Sequence, residues 1–113
     1  MNEDRCLDVE VAKKIFRWIV ILDTEKGGEP NIIYAQNKHQ APVPFFSTNN
    51  DDAYKIINRF QKENYFVYIN SRSMGDGSSE WSVAFHKKDQ KIIPSKAKTF
   101  SYAVCLAALF TIK

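Results

Sequence analysis

The sequence predicts an α+β fold, an antiparallel sheet packed with helices in the order α-ββ-α-βββ-α. Three observations carry this expectation. Apolar residues recur at helical spacing near the N-terminus. The stretch around Trp81 alternates between apolar and polar residues. The C-terminal segment is an apolar run behind a threonine. At 113 residues the chain has room for one core and reads as a single domain, 1–113. A chain of that size buries roughly two-thirds of its unfolded surface.

The first helix is expected over 8–18, with Asp8 as its N-cap and Val11, Ala12, Ile15, Phe16 and Ile19 as its apolar stripe. Residues 19–36 favour a β-hairpin. Ile19, Val20 and Ile21 are β-formers, Gly27, Gly28 and Pro30 punctuate, and Ile32, Ile33 and Tyr34 restart the pattern. A helix extension followed by a loop is the alternative. The tract KHQAPVPFF reads as a linker, because Pro42 and Pro44 oppose regular structure. A second helix starts within the polar run Ser47 to Asp52, with Ala53, Ile56, Ile57 and Phe60 facing inward.

Three strands follow. Tyr65 to Ile69 is dense in β-formers, and SRSMGDGSS is a turn. Trp81, Val83 and Phe85 alternate with Glu80, Ser82, Ala84 and His86. After the turn KKDQK, Ile92 to Lys98 forms an edge or bulged strand marked by Pro94. Thr99 then caps a terminal helix with Phe100, Ala103, Val104, Ala107 and Phe110 on one face and Tyr102, Leu106 and Leu109 on another. A helix apolar on most sides is buried or meets a second copy, so a homo-oligomer is expected.

Net charge is +3, split as −3 over residues 1–52 and +6 over 53–113. That asymmetry suggests an acidic partner for the C-terminal half, or simply a solvated basic face. Cys6 and Cys105 have no framework spacing and read as reduced thiols, a bridge between them being the alternative. The N-terminus lacks the basic and apolar regions of a signal peptide, and no apolar run is long enough to span a bilayer. A location in the host-cell cytosol, away from membranes, is expected.

The run PFFSTNNDDAYKIINRF resembles the signature of the phage ABA-sandwich domain family. The matching positions are Pro44, Phe46, Ser47, Thr48, Asn49, Ala53 and Tyr54. TFSYAVCLAALF is similar to that family's Ala-rich ending, and the strand around Trp81 fits as well. The resemblance implies an ABA-sandwich-like fold and a phage origin, without a biochemical activity. Asn49 stands where the family usually has Asp, which weakens any role for a carboxylate there. The terminal helix with Lys96 and Lys98 also loosely resembles that of the double-stranded RNA-binding domain, whose basic cluster is incomplete here.

No GxSxG, P-loop, HExxH or GxGxxG motif occurs, and His39 and His86 have no ligand partners at metal spacing. Asp51 and Asp52 are adjacent and would diverge on a helix. No catalysis, cofactor or metal is therefore expected. Two places suit a ligand. One is the entry to the second helix, Phe45, Phe46, Ser47, Thr48 and Asn49, where free N–H groups and an aromatic could hold a nucleotide, or where the residues simply cap and staple the helix. The other is the loop at Arg72, whose guanidinium can grip phosphate, or which is a plain turn. Trp81, Lys87 and Lys98 complete the candidate set. The expectation is a phage accessory protein that counters host defence as a sponge for a nucleotide-derived signal, of the cyclic oligonucleotide or cyclic ADP-ribose type. Rival readings are a protein-binding inhibitor or assembly factor, and an RNA-binding module.

Overall fold

The structure, a computed structural model, describes residues 2–23, 27–34 and 39–112. Its order is α1 (Glu3–Lys14), β1 (Ile19–Asp23), β2 (Glu29–Tyr34), β3 (His39–Pro42), α2 (Asn50–Lys62), β4 (Phe66–Ser73), β5 (Ser79–His86), β6 (Ser95–Ala97) and α3 (Phe100–Thr111). The α+β class and the helix–strand alternation are as expected. The strands divide into two antiparallel sheets, β1-β2-β3 and β4-β5-β6.

Helix α1 begins five residues before the expected Asp8. Asn2 is its N-cap, accepting a hydrogen bond from the Arg5 N–H at 2.8 Å. Asp8 is instead buried within the helix, where its carboxylate has other partners. The helix also stops at Lys14 rather than at residue 18. Arg17 takes a left-handed conformation (φ 57°), and the Trp18 N–H folds back onto the Ala12 carbonyl at 3.0 Å. The chain is thereby free to enter β1 at Ile19, and the hairpin alternative holds over the helix extension. Ile19 pairs with Ile33 and Asp23 with Glu29 across a turn containing Gly27 and Gly28, both with positive φ. The expected end of the hairpin, 35–36, lies outside the described residues, as does Lys38 of the expected linker.

The rest of that linker is not irregular throughout. His39–Pro42 form β3, which among the described residues is an edge strand paired with β2 alone, so Pro42 needs no second hydrogen-bonding neighbour. In the expected loop around Arg72, pairing also runs further than anticipated. Arg72 lies on β4 opposite Glu80, and the turn shrinks to Met74–Ser78. Conversely, the third strand contracts from 92–98 to Ser95–Ala97, and Ile92 and Ile93 are left exposed before Pro94.

The core lies between the three helices and one face of β4-β5-β6. Val83 and Phe85 point inward from β5, and Ala53, Ile56, Ile57 and Phe60 do so from α2. Helix α3 runs through the middle, packing on α1, α2, β5 and β6, which is why apolar residues surround it. Phe110, assigned to its inner face, is half-exposed at its C-terminal end. The β1-β2-β3 sheet meets this body mainly through α1. Both cysteines are unpaired, Cys6 exposed and Cys105 buried. Burial pushes the Cys105 thiol well above its usual range, with the Asp8 charge adding to it. No described helix is long and apolar enough to cross a membrane.

Candidate functional site: a polar cleft between two helix N-termini

The segment 43–49 is held to α1 by a buried ion pair. The Arg5 guanidinium donates to the Asp8 carboxylate at 2.7 Å and to the carbonyls of Val43 and Pro44 at 2.9 and 3.3 Å. Phe45 lies against the face of the same guanidinium, 3.9 Å from ring centroid to carbon. The other Asp8 oxygen accepts the Ser47 N–H at 2.7 Å, and the Ser47 hydroxyl donates to the Asp4 carbonyl at 3.0 Å. Phe46 is fully buried, stacked on Phe16 at 5.2 Å and close to Trp18.

This anchoring sets the start of α2. Asn49, not Ser47 or Thr48, is the N-cap, its side chain accepting from the Asp52 N–H at 3.0 Å. An amide oxygen caps as well as a carboxylate, so the departure from the family's usual Asp costs no local structure. Asp52 in turn accepts the Phe45 N–H at 2.8 Å and pairs with Lys55. The first turns of α2 and α3 are tied together by the Ser101 hydroxyl, which donates to the Asn50 side chain at 2.6 Å. Thr99 caps α3 through the Tyr102 N–H.

A cleft of about 650 Å³ opens between these two helix starts. Ser47, Thr48 and Asn50 line it from α2 and its approach, and Lys98, Thr99 and Tyr102 from α3. Trp81 forms part of the wall, half-buried and edge-on to Phe100 at 5.5 Å. Ser78 and Ser79 contribute the rim from the β4–β5 turn. Asp76 holds Ser78 in place by accepting from both its hydroxyl and its N–H, at 2.6 and 3.0 Å. Those bonds hold the Asp76 carboxyl below its ordinary range. Desolvation, and then a hydrogen bond to Glu3, raise the Tyr102 phenol, which therefore stays protonated as a donor. Asp4 supplies the one carboxylate of the wall.

Of the nine expected site residues the structure brings Ser47, Thr48, Trp81 and Lys98 to one cleft. The other five are elsewhere. Phe45 covers Arg5, Phe46 fills the core and Asn49 caps α2. Arg72 pairs with Glu80 at 3.2 Å along the sheet. Lys87 lies over the Tyr65 ring at 4.8 Å. Arg5, Asp8, Asn50 and Tyr102 are not among the site residues expected from the sequence. Arg5 and Asp8 do carry a signal, opposite charges three apart, but it is visible only once the helix is known to include both. Among the described residues no group of three His, Cys, Asp or Glu side chains could hold a metal ion.

Three helices packed with two antiparallel sheets, and a hydroxyl-rich cleft at two helix starts, define a small α+β sandwich protein. The chain belongs to the phage ABA sandwich domain family, whose sequence profile matches residues 10–109. Its fold is similar to that of a phage protein from Bacillus cereus ATCC 14579, known from a 2.0 Å crystal structure. That likeness has a TM-score of 0.68 at 21% identity, over 96% of this chain and 91% of that one. At such identity it bears on the fold alone. No curated protein matches the chain.

Proposed function

We propose that the chain binds a nucleotide-derived anion in the cleft between α2 and α3. As a phage accessory protein it would thereby sequester a host immune signal of the cyclic oligonucleotide or cyclic ADP-ribose type. The observation that carries this reading is the convergence of Trp81, Lys98 and the Ser47–Thr48 helix entry on one cavity. Its volume of about 650 Å³ falls within the roughly 300–1,000 Å³ of small-molecule sites. An indole offers a stacking surface for a base, Lys98 a charge for phosphate, and the Thr48, Ser79 and Thr99 hydroxyls bonds to ribose or phosphate oxygens, those of Ser47, Ser78 and Ser101 being donated within the fold. Asp4 suits a ribose hydroxyl better than a second phosphate, which favours a compact ligand over a polynucleotide. Asp51 and Asp52, in the first turn of α2, add to that preference. For this reason the helix–three-strand–helix order of the C-terminal half, although shared with double-stranded RNA-binding domains, is the weaker guide.

Calorimetry with a panel of cyclic di- and trinucleotides and cyclic ADP-ribose variants tests the reading. Saturable heat is expected with at least one. Trp81→Ala should then weaken it by about tenfold or more, the effect of losing one stacked base. Arg72→Ala, remote and paired with Glu80, should leave it unchanged. No heat with any of the panel would overturn the proposal.

A second reading, a protein partner, is favoured by β1. Ile19 is 59% exposed on the face of β1 opposite Val20, which packs on the core. On this reading a host protein retained from lysate through moderate salt is lost when Ile19 is changed to Ser. Retention that survives the change rules out this surface.

A further inference from the structure

The C-terminal ends of α1 and α2 border one cavity, and each is followed by a left-handed residue. In α2 that residue is Asn64 (φ 67°), and the Tyr65 N–H returns to the Phe60 carbonyl at 3.1 Å. Asparagine tolerates this conformation, and glycine adopts it freely. In α1 the left-handed residue is Arg17, at φ 57°, one position further past the helix than Asn64. A long β-substituted side chain in that region destabilises the backbone relative to glycine. Arg17 is exposed, and its side chain has no hydrogen-bond or ion-pair partner among the described residues; the return of the Trp18 N–H to the Ala12 carbonyl needs the left-handed backbone there but not a guanidinium.

Between the two helix ends is a cavity of about 330 Å³, lined by Lys14, Arg17 and Arg59 with Glu63, over a floor that includes Ile15 and Phe60. Three cations face one carboxylate. Lys14 and Arg59 are engaged in i,i+4 pairs with Glu10 at 2.9 Å and Glu63 at 3.4 Å. Both pairs are solvent-exposed, hence weak and readily exchanged for a better acceptor. Last-turn cations on α1 and α2 are accounted for by the negative helix ends. Arg17 lies beyond the last turn, and that account does not require an arginine in a glycine-type position.

We infer that this cavity is an anion site, separate from the α2–α3 cleft, that takes the phosphate group of a small phosphate ester, with Arg17 retained in its strained conformation to present its guanidinium to the ligand. A guanidinium fork matches two phosphate oxygens, and Lys14 and Arg59 supply the remaining charge. The apolar floor receives the organic part of the ester.

Pyrophosphate is a suitable probe, followed by NMR chemical-shift titration of the full chain at low and moderate salt. Saturable shifts are expected at Lys14, Arg17 and Arg59, weakening as salt rises. Arg17→Gly should reduce affinity by about tenfold or more, the loss of one charge-assisted bond, while raising Tm by roughly 2–5 °C as the backbone strain is relieved. Arg59→Gln should lose affinity similarly with Tm unchanged. The opposite signs for Arg17→Gly separate a ligand role from a structural one, which would lower Tm. Absence of saturable shifts, shifts confined to Thr48 and Lys98, unaltered affinity in Arg17→Gly, or a lowered Tm in that variant would each overturn the inference.

Discussion

Replacing Asp8 by Ala is expected to destabilise the protein by about 3–5 kcal/mol, because it leaves the buried Arg5 guanidinium with only the exposed Glu29 carboxylate, 3.9 Å away, as counter-ion. Arg5 is only 7% exposed and Asp8 is fully buried, so solvent cannot make up the loss. Asp8 also accepts the Ser47 N–H, and its removal orphans that donor as well. Arg5 would keep its bonds to the Val43 and Pro44 carbonyls, but its Nε already lacks a partner and the site has little polar capacity in reserve. Against a total of about 5–15 kcal/mol for a domain of this kind, the loss is large. Urea denaturation monitored by tryptophan fluorescence measures it. A loss below about 1 kcal/mol would mean that the pair is not buried as described. Replacing both partners, Arg5→Met with Asp8→Leu, should recover only part of the stability: it avoids the desolvation of two charges but leaves the Ser47 N–H and the Val43 and Pro44 carbonyls without these partners.

Phe46→Ala is expected to cost a similar amount, about 3–5 kcal/mol, by opening a cavity in the stack of Phe16, Trp18 and Phe46. In this fold Phe46 is the plug that fastens segment 43–49 to the end of α1. The variant therefore separates two meanings of the FFST motif. A residue that stacks on a ligand would show normal stability and lost binding when truncated. A core residue shows lowered stability in the absence of any ligand. Unchanged stability in the same urea experiment would return Phe46 to the list of ligand contacts. Asp8 and Phe46 hold the same segment, so the double variant should lose less than the sum of the two single losses.

These two residues illustrate where reading from sequence succeeds and where it stops. The apolar stripe of α2, the alternation in β5 and the threonine cap of α3 are local patterns, and each element formed where its pattern lies. The ends of elements were less legible. Asp8 looks like an N-cap, and only the burial of its carboxylate against Arg5 and Ser47 shows that the helix has already begun. His39–Pro42 looks like a linker, because Pro42 and Pro44 oppose regular structure. Pairing with β2 makes it a strand regardless. Arg72 looks like a loop residue after a run of β-formers, yet the ladder with β5 extends through it.

The sequence by itself determined the fold class, the number of helices and most of their inward faces. These depend on the spacing of side chains along one element, and that spacing is written in neighbouring residues. It also pointed to Ser47, Thr48, Trp81 and Lys98 individually. That these four meet in one cleft was decided by the tertiary structure alone. The contacts that gather them join residues far apart in the chain, as in the Asp8–Ser47 bond across 39 positions and the Asn50–Ser101 bond across 51. The same holds for the cavity at the ends of α1 and α2. No local pattern announces such contacts, because their free energy comes from burying and pairing polar groups that only the packed chain brings together.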